Sequence, residues 1–312
     1  MENLTITRFG WGCALALAVG LLMTLPVLRQ KKLGYGAMIR LSVCVIPLTW
    51  LCSRLLFVAF DLGASLFGSS FYLDTVGSAV PALYFWDGGY SLMGALLGAV
   101  LGAKLAEGWT GSGSGVLRDG LALGLPAAIA VERLLERGTG LGLGKAGTAG
   151  WPLNRGIFHD PEYAPVYLYE ALIAILLLGL MGILFLRLRD REDGELLELF
   201  LLLWGLTQAL LESLRSDDHM VYHFVRVQQV TAFALAIAVM LRWTHRALRR
   251  GAKPLPMALG WVLTLAAAGA AVAAEFGVDR WGKPLLAYGL MISCLTAVGL
   301  IAFRFRSLTK RA

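Results

Sequence analysis

Nine times along this 312-residue chain an apolar run recurs that is long enough to cross a bilayer. Hydrocarbon offers no water to unpaired backbone N–H and C=O groups, so each run must close its own hydrogen bonds, and a helix does that within a single segment. The runs fall at about Gly10–Leu28, Leu41–Phe60, Trp86–Ala106, Asp119–Leu135, Val166–Phe185, Leu196–Leu214, Val225–Leu241, Met257–Ala274 and Leu285–Phe303. With 57% hydrophobic residues and a mean hydropathy of +0.68, the chain lies outside the composition of soluble globular proteins. The fold class is therefore an all-α polytopic membrane protein.

The third run, WDGGYSLMGALLGAVLGAKLA, carries Gly94, Gly98 and Gly102, one every four residues. On a helix these three share one side and leave a groove without side chains, where a neighbouring backbone can approach closely. The pattern predicts a central helix with the other spans packed around its bare face. The fourth run is interrupted by Pro126, and a glycine-rich loop follows at Gly138–Gly150. Between runs two and three, Asp61–Asp87 is aromatic and free of Lys and Arg, which reads as an extracytoplasmic connection with an interfacial helix.

The formal net charge of +7 comes from short basic runs between apolar segments, not from a patch of the kind that holds nucleic acid. Counted on alternating sides of nine spans, Lys and Arg number 18 on one side and 9 on the other. The excess predicts an N-terminus outside and a C-terminus in the cytoplasm. Cys13, Cys44, Cys52 and Cys294 all fall in apolar runs, none in a CxxC, so neither disulfides nor a metal site are expected. The first run has no basic stretch before it and reads as a retained span, not a cleaved leader.

On this topology Arg133, His159, Glu170, Glu212, Arg215, His219 and His223 all lie at extracytoplasmic helix ends. Ionisable groups at this depth are costly and face a cavity or one another. Glu212 and Arg215 are three apart and can share a helix face. Two arginines with two carboxylates suit an anionic phospholipid headgroup, because a guanidinium grips phosphate with two parallel hydrogen bonds and a carboxylate holds it in place. The same residues could equally be ion pairs that fix helix ends. His219 and His223 have i, i+4 spacing but neither a third ligand nor an intervening glutamate, so a metal is not expected. His159 precedes Asp160-Pro161, which is turn chemistry first.

Several stretches together resemble the prolipoprotein diacylglyceryl transferase family. WDGGYSLMGALLG resembles its WDGG-S-x-HGG-x-x-G stretch, and CSRLLFVAF (Cys52–Phe60) its arginine-containing second span. APVYLYEA (Ala164–Ala171) resembles HPSQLYEA, WGLTQALLESLRSDD (Trp204–Asp218) resembles YG-x-x-R-x-x-x-E-x-x-R-x-x-D, and VQQVTA (Val227–Ala232) resembles GQ-x-x-S. The likeness runs in order over residues 8–245. It implies a seven-helix core over 1–250 and a two-helix membrane extension over 251–312. It also implies transfer of a diacylglyceryl group from phosphatidylglycerol to the cysteine thiol of a lipoprotein precursor, at the outer face of a bacterial inner membrane and without a cofactor. Basic residues would bind the phosphate, and a base would activate the thiol, whose thiolate is the nucleophile.

The departures cut into the catalytic side chains. The family histidine falls on Met93, and the signature GR-x-GNF-x-NGE falls on Glu132–Leu141 with only Arg133 and Gly140 kept. Its two asparagines become Glu136 and Thr139, its glutamate Leu141, and the arginine before Glu-x-x-Arg becomes Gln208. The resemblance places Arg133, Arg215, Glu212, Tyr169, Gln208 and Gln229 at the lipid headgroup and leaves Glu136, Glu170 or His159 to supply the base. Two readings stay open: a divergent transferase, and a catalytically silent phospholipid-binding or partner-docking protein on the same fold. A solute transporter ranks third, since the chain has no inverted repeat.

Overall fold

Backbone pairing in the computed structural model is almost wholly helical. The structure describes residues 2–67, 70–78, 80, 84, 88–111, 115–137, 139, 141–146, 163–188, 191–216, 220–222 and 225–311. The helices among them are α1 (Glu2–Met23), α2 (Leu25–Gln30), α3 (Tyr35–Ala64), α4 (Leu92–Thr110), α5 (Val116–Leu135), α6 (Val166–Arg187), α7 (Glu195–Glu212), α8 (Val227–Arg249), α9 (Pro254–Arg280) and α10 (Pro284–Arg311). Two short antiparallel pairs join them: β1 (Leu143–Ala146) with β2 (Tyr163–Pro165), and β3 (Val221–Tyr222) with β4 (Val225–Arg226).

Each expected run lies mainly on a long helix, the first continuing into the short α2. Seven segments, Gly10–Gln30, Tyr35–Ala64, Leu92–Thr110, Val166–Arg187, Val227–Arg249, Pro254–Val278 and Pro284–Thr309, have the length and apolar content to cross a membrane. α5 and α7 fall below that measure because they carry Arg118, Asp119, Glu132 and Arg133, and Glu195, Glu198 and Glu212. The chain is a multi-pass membrane protein. The first run is broken at Thr24, where Pro26 has no N–H to return to the preceding turn and α2 starts anew. Pro126, by contrast, does not interrupt α5. A proline-broken helix bond is tolerated where surrounding helices enclose the turn, and Pro126 is buried.

The chain divides into two compact units. The first comprises Met1–Phe200 and Leu214–Gln228. Here the bare face of α4 meets one helix only. Cβ atoms at Gly94, Gly98 and Gly102 would run into the α3 backbone at Cys52–Ser53, Leu48–Thr49 and Cys44–Val45. The helix at the centre is α5, which packs on α1, α2, α4 and α6. It approaches α1 through the same device, Gly124 against the Gly20 carbonyl. The expectation that α4 is the hub is thus corrected: a glycine groove serves one close partner, whereas a hub needs apolar surface all round, and α5 has it from Gly120 to Val131. At the other end of α5, Asp119 accepts from the N–H groups of Leu196 (3.0 Å) and Leu197 (3.4 Å), satisfying the first turn of α7.

The second unit comprises Leu201–Ser213 and Gln229–Ala312. Gly205 lets α7 approach α8 at Ala232 and Ala236, while α9 packs along α10 with Phe305 over Gly260. Trp261 Nε1 donates to Thr244 Oγ1 at 3.2 Å, and Arg250 donates to the Thr309 carbonyl.

Candidate functional site

A group of buried charges of the first unit gathers where α5 ends and α6 begins. Arg133 lies in the last turn of α5, Glu136 caps that helix, Glu170 is in the opening turns of α6, and Arg215 follows α7. All four are buried, at 2–5% exposure. Oε2 of Glu170 lies 3.0 Å from Arg133 Nε and 3.1 Å from an Arg215 terminal nitrogen. A second bond runs from Arg215 to Oε1 at 3.3 Å. Arg133 also pairs with Glu136 through a terminal nitrogen, and its Nε lies 3.4 Å from Glu132 Oε2. One carboxylate thus joins two guanidiniums that are remote in sequence, and two more carboxylates flank Arg133.

Such charges remain buried only because they are paired; stripping water from one ion costs several kcal/mol, which its partners must offset. The pairing is incomplete. Oε2 of Glu132 and Oε2 of Glu136 are buried without a hydrogen-bond partner among the described residues, and the ion-pair contacts of Arg133 Nε lack an aligned N–H. Burial pushes the Glu136 carboxyl up to about 8, in spite of Arg133 beside it and with Glu132 driving it the same way.

The start of the glycine-rich loop closes over this cluster. The Tyr167 N–H donates to the Gly142 carbonyl (2.8 Å), and the Ser216 N–H donates to the Leu143 carbonyl (2.9 Å). Gly144 bridges to Arg215. Gly142 has φ +68°, and a Cβ there would lie 2.7 Å from Glu136 Oε2, so glycine is required on both counts. β1 therefore ties the chain after α5 to the start of α6 and to the segment after α7, and fixes the backbone that carries Arg215.

Tyr169, Gln208, Glu212 and Gln229 are the remaining headgroup candidates. Tyr169 is half-buried one residue before Glu170, so about 100° around α6 from it. Gln208 and Glu212 belong to the second unit, where Gln208 Nε2 donates to Glu212 Oε1 at 3.0 Å. Gln229 is in that unit too, donating to the Ala209 carbonyl at 3.1 Å and to the Glu275 carboxylate at 2.8 and 2.9 Å. Met93 is half-buried in the first turn of α4. His159, His219 and His223 lie outside the described residues, as do Trp86 and Asp87. Among the described residues no group of three or more His, Cys, Asp or Glu could hold a metal ion.

Two residues gained a place that the sequence reading had not given them. Glu275 directly follows the alanine-rich eighth run. Arg54 stood out only as a lone charge in mid-span, the usual sign of a buried purpose. It is 1% exposed and donates to the Tyr72 hydroxyl (3.0 Å) and to the carbonyls of Tyr84 (2.9 Å), Gly89 (3.0 Å) and Gly88. The rings of Phe57, Tyr72 and Tyr90 surround it at 5.9 Å. Arg54 therefore fastens the connection before α4 to the α3 helix. Among the described residues that connection carries a short 3₁₀ helix at Ser65–Phe67 and a π-helical turn at Phe71–Thr75, held by Asp61, which accepts from the N–H groups of Phe71 and Tyr72.

Residues 1–244 match the family model of prolipoprotein diacylglyceryl transferase. Three curated relatives, from Lactobacillus acidophilus, Parasynechococcus marenigrum and Thermosynechococcus vestitus, are all named phosphatidylglycerol–prolipoprotein diacylglyceryl transferase. The first is 33% identical over 94 residues, 30% of this chain and 32% of the relative, so the match spans about a third of that protein's length. The second is 26% identical, covering 69% of this chain and 77% of the relative. The third is 24% identical, covering 81% and 92%.

Proposed function

The chain belongs to the prolipoprotein diacylglyceryl transferase family, and from that premise we propose that it is a membrane transferase moving a diacylglyceryl group from phosphatidylglycerol to the cysteine thiol of a lipoprotein precursor. The observation that carries the reading is the meeting of Arg133 and Arg215 on one Glu170 oxygen. A carboxylate oxygen lodged between two guanidiniums supports a phosphate site there, because a guanidinium holds both kinds of oxygen by the same paired hydrogen bonds. In this reaction the headgroup phosphate takes that place, and its charge, growing as it leaves, is met by both cations. Glu170, displaced from the arginines, takes the thiol proton. The sulfur then forms a bond to the terminal glycerol carbon of the diacylglyceryl group. The carbon–oxygen bond to phosphate breaks, and its electron pair leaves with glycerol phosphate. Glu136 keeps Arg133 aimed throughout. Glu212, Gln208, Tyr169 and Gln229 remain candidates for the headgroup, and His159 for the base.

The same reading puts the protein in the cytoplasmic membrane of a bacterium, N-terminus outside, with residues 1–250 as the transferase core and 251–312 as a two-helix extension. The test is complementation. In cells depleted of their own transferase, a lipoprotein precursor should shift in gel mobility when this chain is expressed, and the shift should vanish with Arg133→Ala. Absence of lipidation from a well-expressed protein that still co-purifies with phosphatidylglycerol, and loses it on Arg215→Ala, would make the chain a lipid-binding protein instead.

A further inference from the structure

Of the headgroup candidates, Gln229 is the one that a residue beyond the family match takes hold of. It lies half-buried in the first turn of α8. Its side-chain nitrogen donates to the Ala209 carbonyl of α7 at 3.1 Å and to both oxygens of Glu275 in α9, at 2.9 and 2.8 Å. A glutamine amide can be placed either way round, and only its partners decide. Here they decide it, because a main-chain carbonyl and a carboxylate both accept and neither donates. The two N–H groups are thereby used, and what Gln229 has left to offer is its carbonyl oxygen. Glu275 lies outside residues 1–244, the part that matches the family. A carboxylate on an apolar helix is costly and is kept where it has a task. The last helix reaches the same end of α7, where the Tyr288 hydroxyl of α10 donates to the Ser213 carbonyl at 3.5 Å. Ala209, Ser213, Gln229, Glu275 and Tyr288 all belong to the second unit.

We propose that Glu275 is a positioning residue for the choice of donor lipid: it turns Gln229 so that the amide carbonyl accepts a hydroxyl of the headgroup. The two-helix extension thereby gives this chain a preference for headgroups that donate a hydrogen bond. The inference rests on the reading of Gln229 as a headgroup residue of the transfer reaction. A carbonyl oxygen has nothing to give a phosphate, which only accepts, so Gln229 does not share the work of the arginines. In phosphatidylglycerol the free hydroxyls of the headgroup are the groups that donate.

The experiment uses the purified full-length chain, a precursor peptide and two donor lipids with the same acyl chains. One is phosphatidylglycerol, and the other is phosphatidylpropanol, whose headgroup has the same three carbons and no hydroxyl. KM and kcat are measured for each. The unaltered chain should have a KM about fivefold lower for phosphatidylglycerol, the size of one neutral hydrogen bond. Glu275→Ala should erase that preference by raising the phosphatidylglycerol KM alone, with kcat on both lipids kept. Glu275→Gln still presents an acceptor to the Gln229 N–H and should retain the preference. An unaltered chain that treats the two lipids alike overturns the role of Glu275 and spares the transferase reading. So does a Glu275→Ala chain that keeps the preference or loses rate equally on both lipids, and so does Glu275→Gln behaving as Glu275→Ala. Transfer from neither lipid by the unaltered chain overturns both. If Glu275→Ala does not fold, Glu275→Met, which keeps the length of the side chain, carries the identical expectation.

Discussion

Glu170 shows what a single carboxylate can do for two distant cations. Arg133 and Arg215 would repel each other at this spacing, and the oxygen between them turns that repulsion into a joint. That these arginines converge was legible in the sequence, because the alternating count of spans puts both at helix ends on one side and neither belongs to a basic run. That Glu170 links them was not, since nothing local relates it to Arg215, 45 residues away. Nor was the flanking of Arg133 by both Glu132 and Glu136, of which the family resemblance singles out only Glu136, as a candidate base. Glu136 also gives the protein a pH response. Glu132, Arg133, Glu170 and Arg215 face it, and burial raises its carboxyl from the ordinary 4.5 to about 8. The folded chain then holds a proton that the unfolded chain releases, so the contribution to stability is full below pH 4.5 and is lost as pH rises through about 8. Thermal unfolding in detergent should show the midpoint falling across that window, and Glu136→Gln should flatten the fall. A midpoint with the same slope in the variant would assign the response to other groups.

At the scale of elements, period carried most of the information. Apolar runs gave each long helix, and glycine spacing gave the close face of α4. Periodicity alone did not say which helix that face would meet, nor that α5, with four charges, would be the one packed on most sides. Charge lowers a helix's hydropathy without telling whether it lies outside the bundle or at its centre. The α3–α4 contact is the element most exposed to a single change. Gly98 lies against the backbone at Leu48–Thr49, where no flexible side chain can yield. Gly98→Ala should destabilise the protein by roughly 1–3 kcal/mol, the range for overpacking, and Gly98→Leu should prevent folding. Gly63, whose Cβ would meet nothing within 4 Å, is the control, and Gly63→Ala should be close to neutral in the same unfolding assay. Equal losses at the two positions would mean that the groove is not what holds the pair.

For the whole molecule, the sequence and the structure agree on a chain that crosses a membrane many times, and the basic residues supply its direction. If α5 and α7 cross as the seven more apolar segments do, the chain spans nine times and its two ends lie on opposite sides. A cytoplasmic reporter fused at Ala312 should be active and a periplasmic one silent. The reverse would mean that α5, α7 or another segment does not cross, and would put the Arg133–Arg215 cluster on the other face.

The pairing of β1 with the chain around it has an outcome for how the protein can vary. Main-chain groups of Leu143 and Gly144, which bond the Ser216 N–H and, at 2.6 Å, the Ser216 hydroxyl, station the peptide that bears Arg215. Residues 143 and 145 can therefore drift among many types while the guanidinium stays put. A one-residue insertion ahead of Gly144 would slide the ladder by a step and swing Arg215 off its mark, even though every charged side chain were still present.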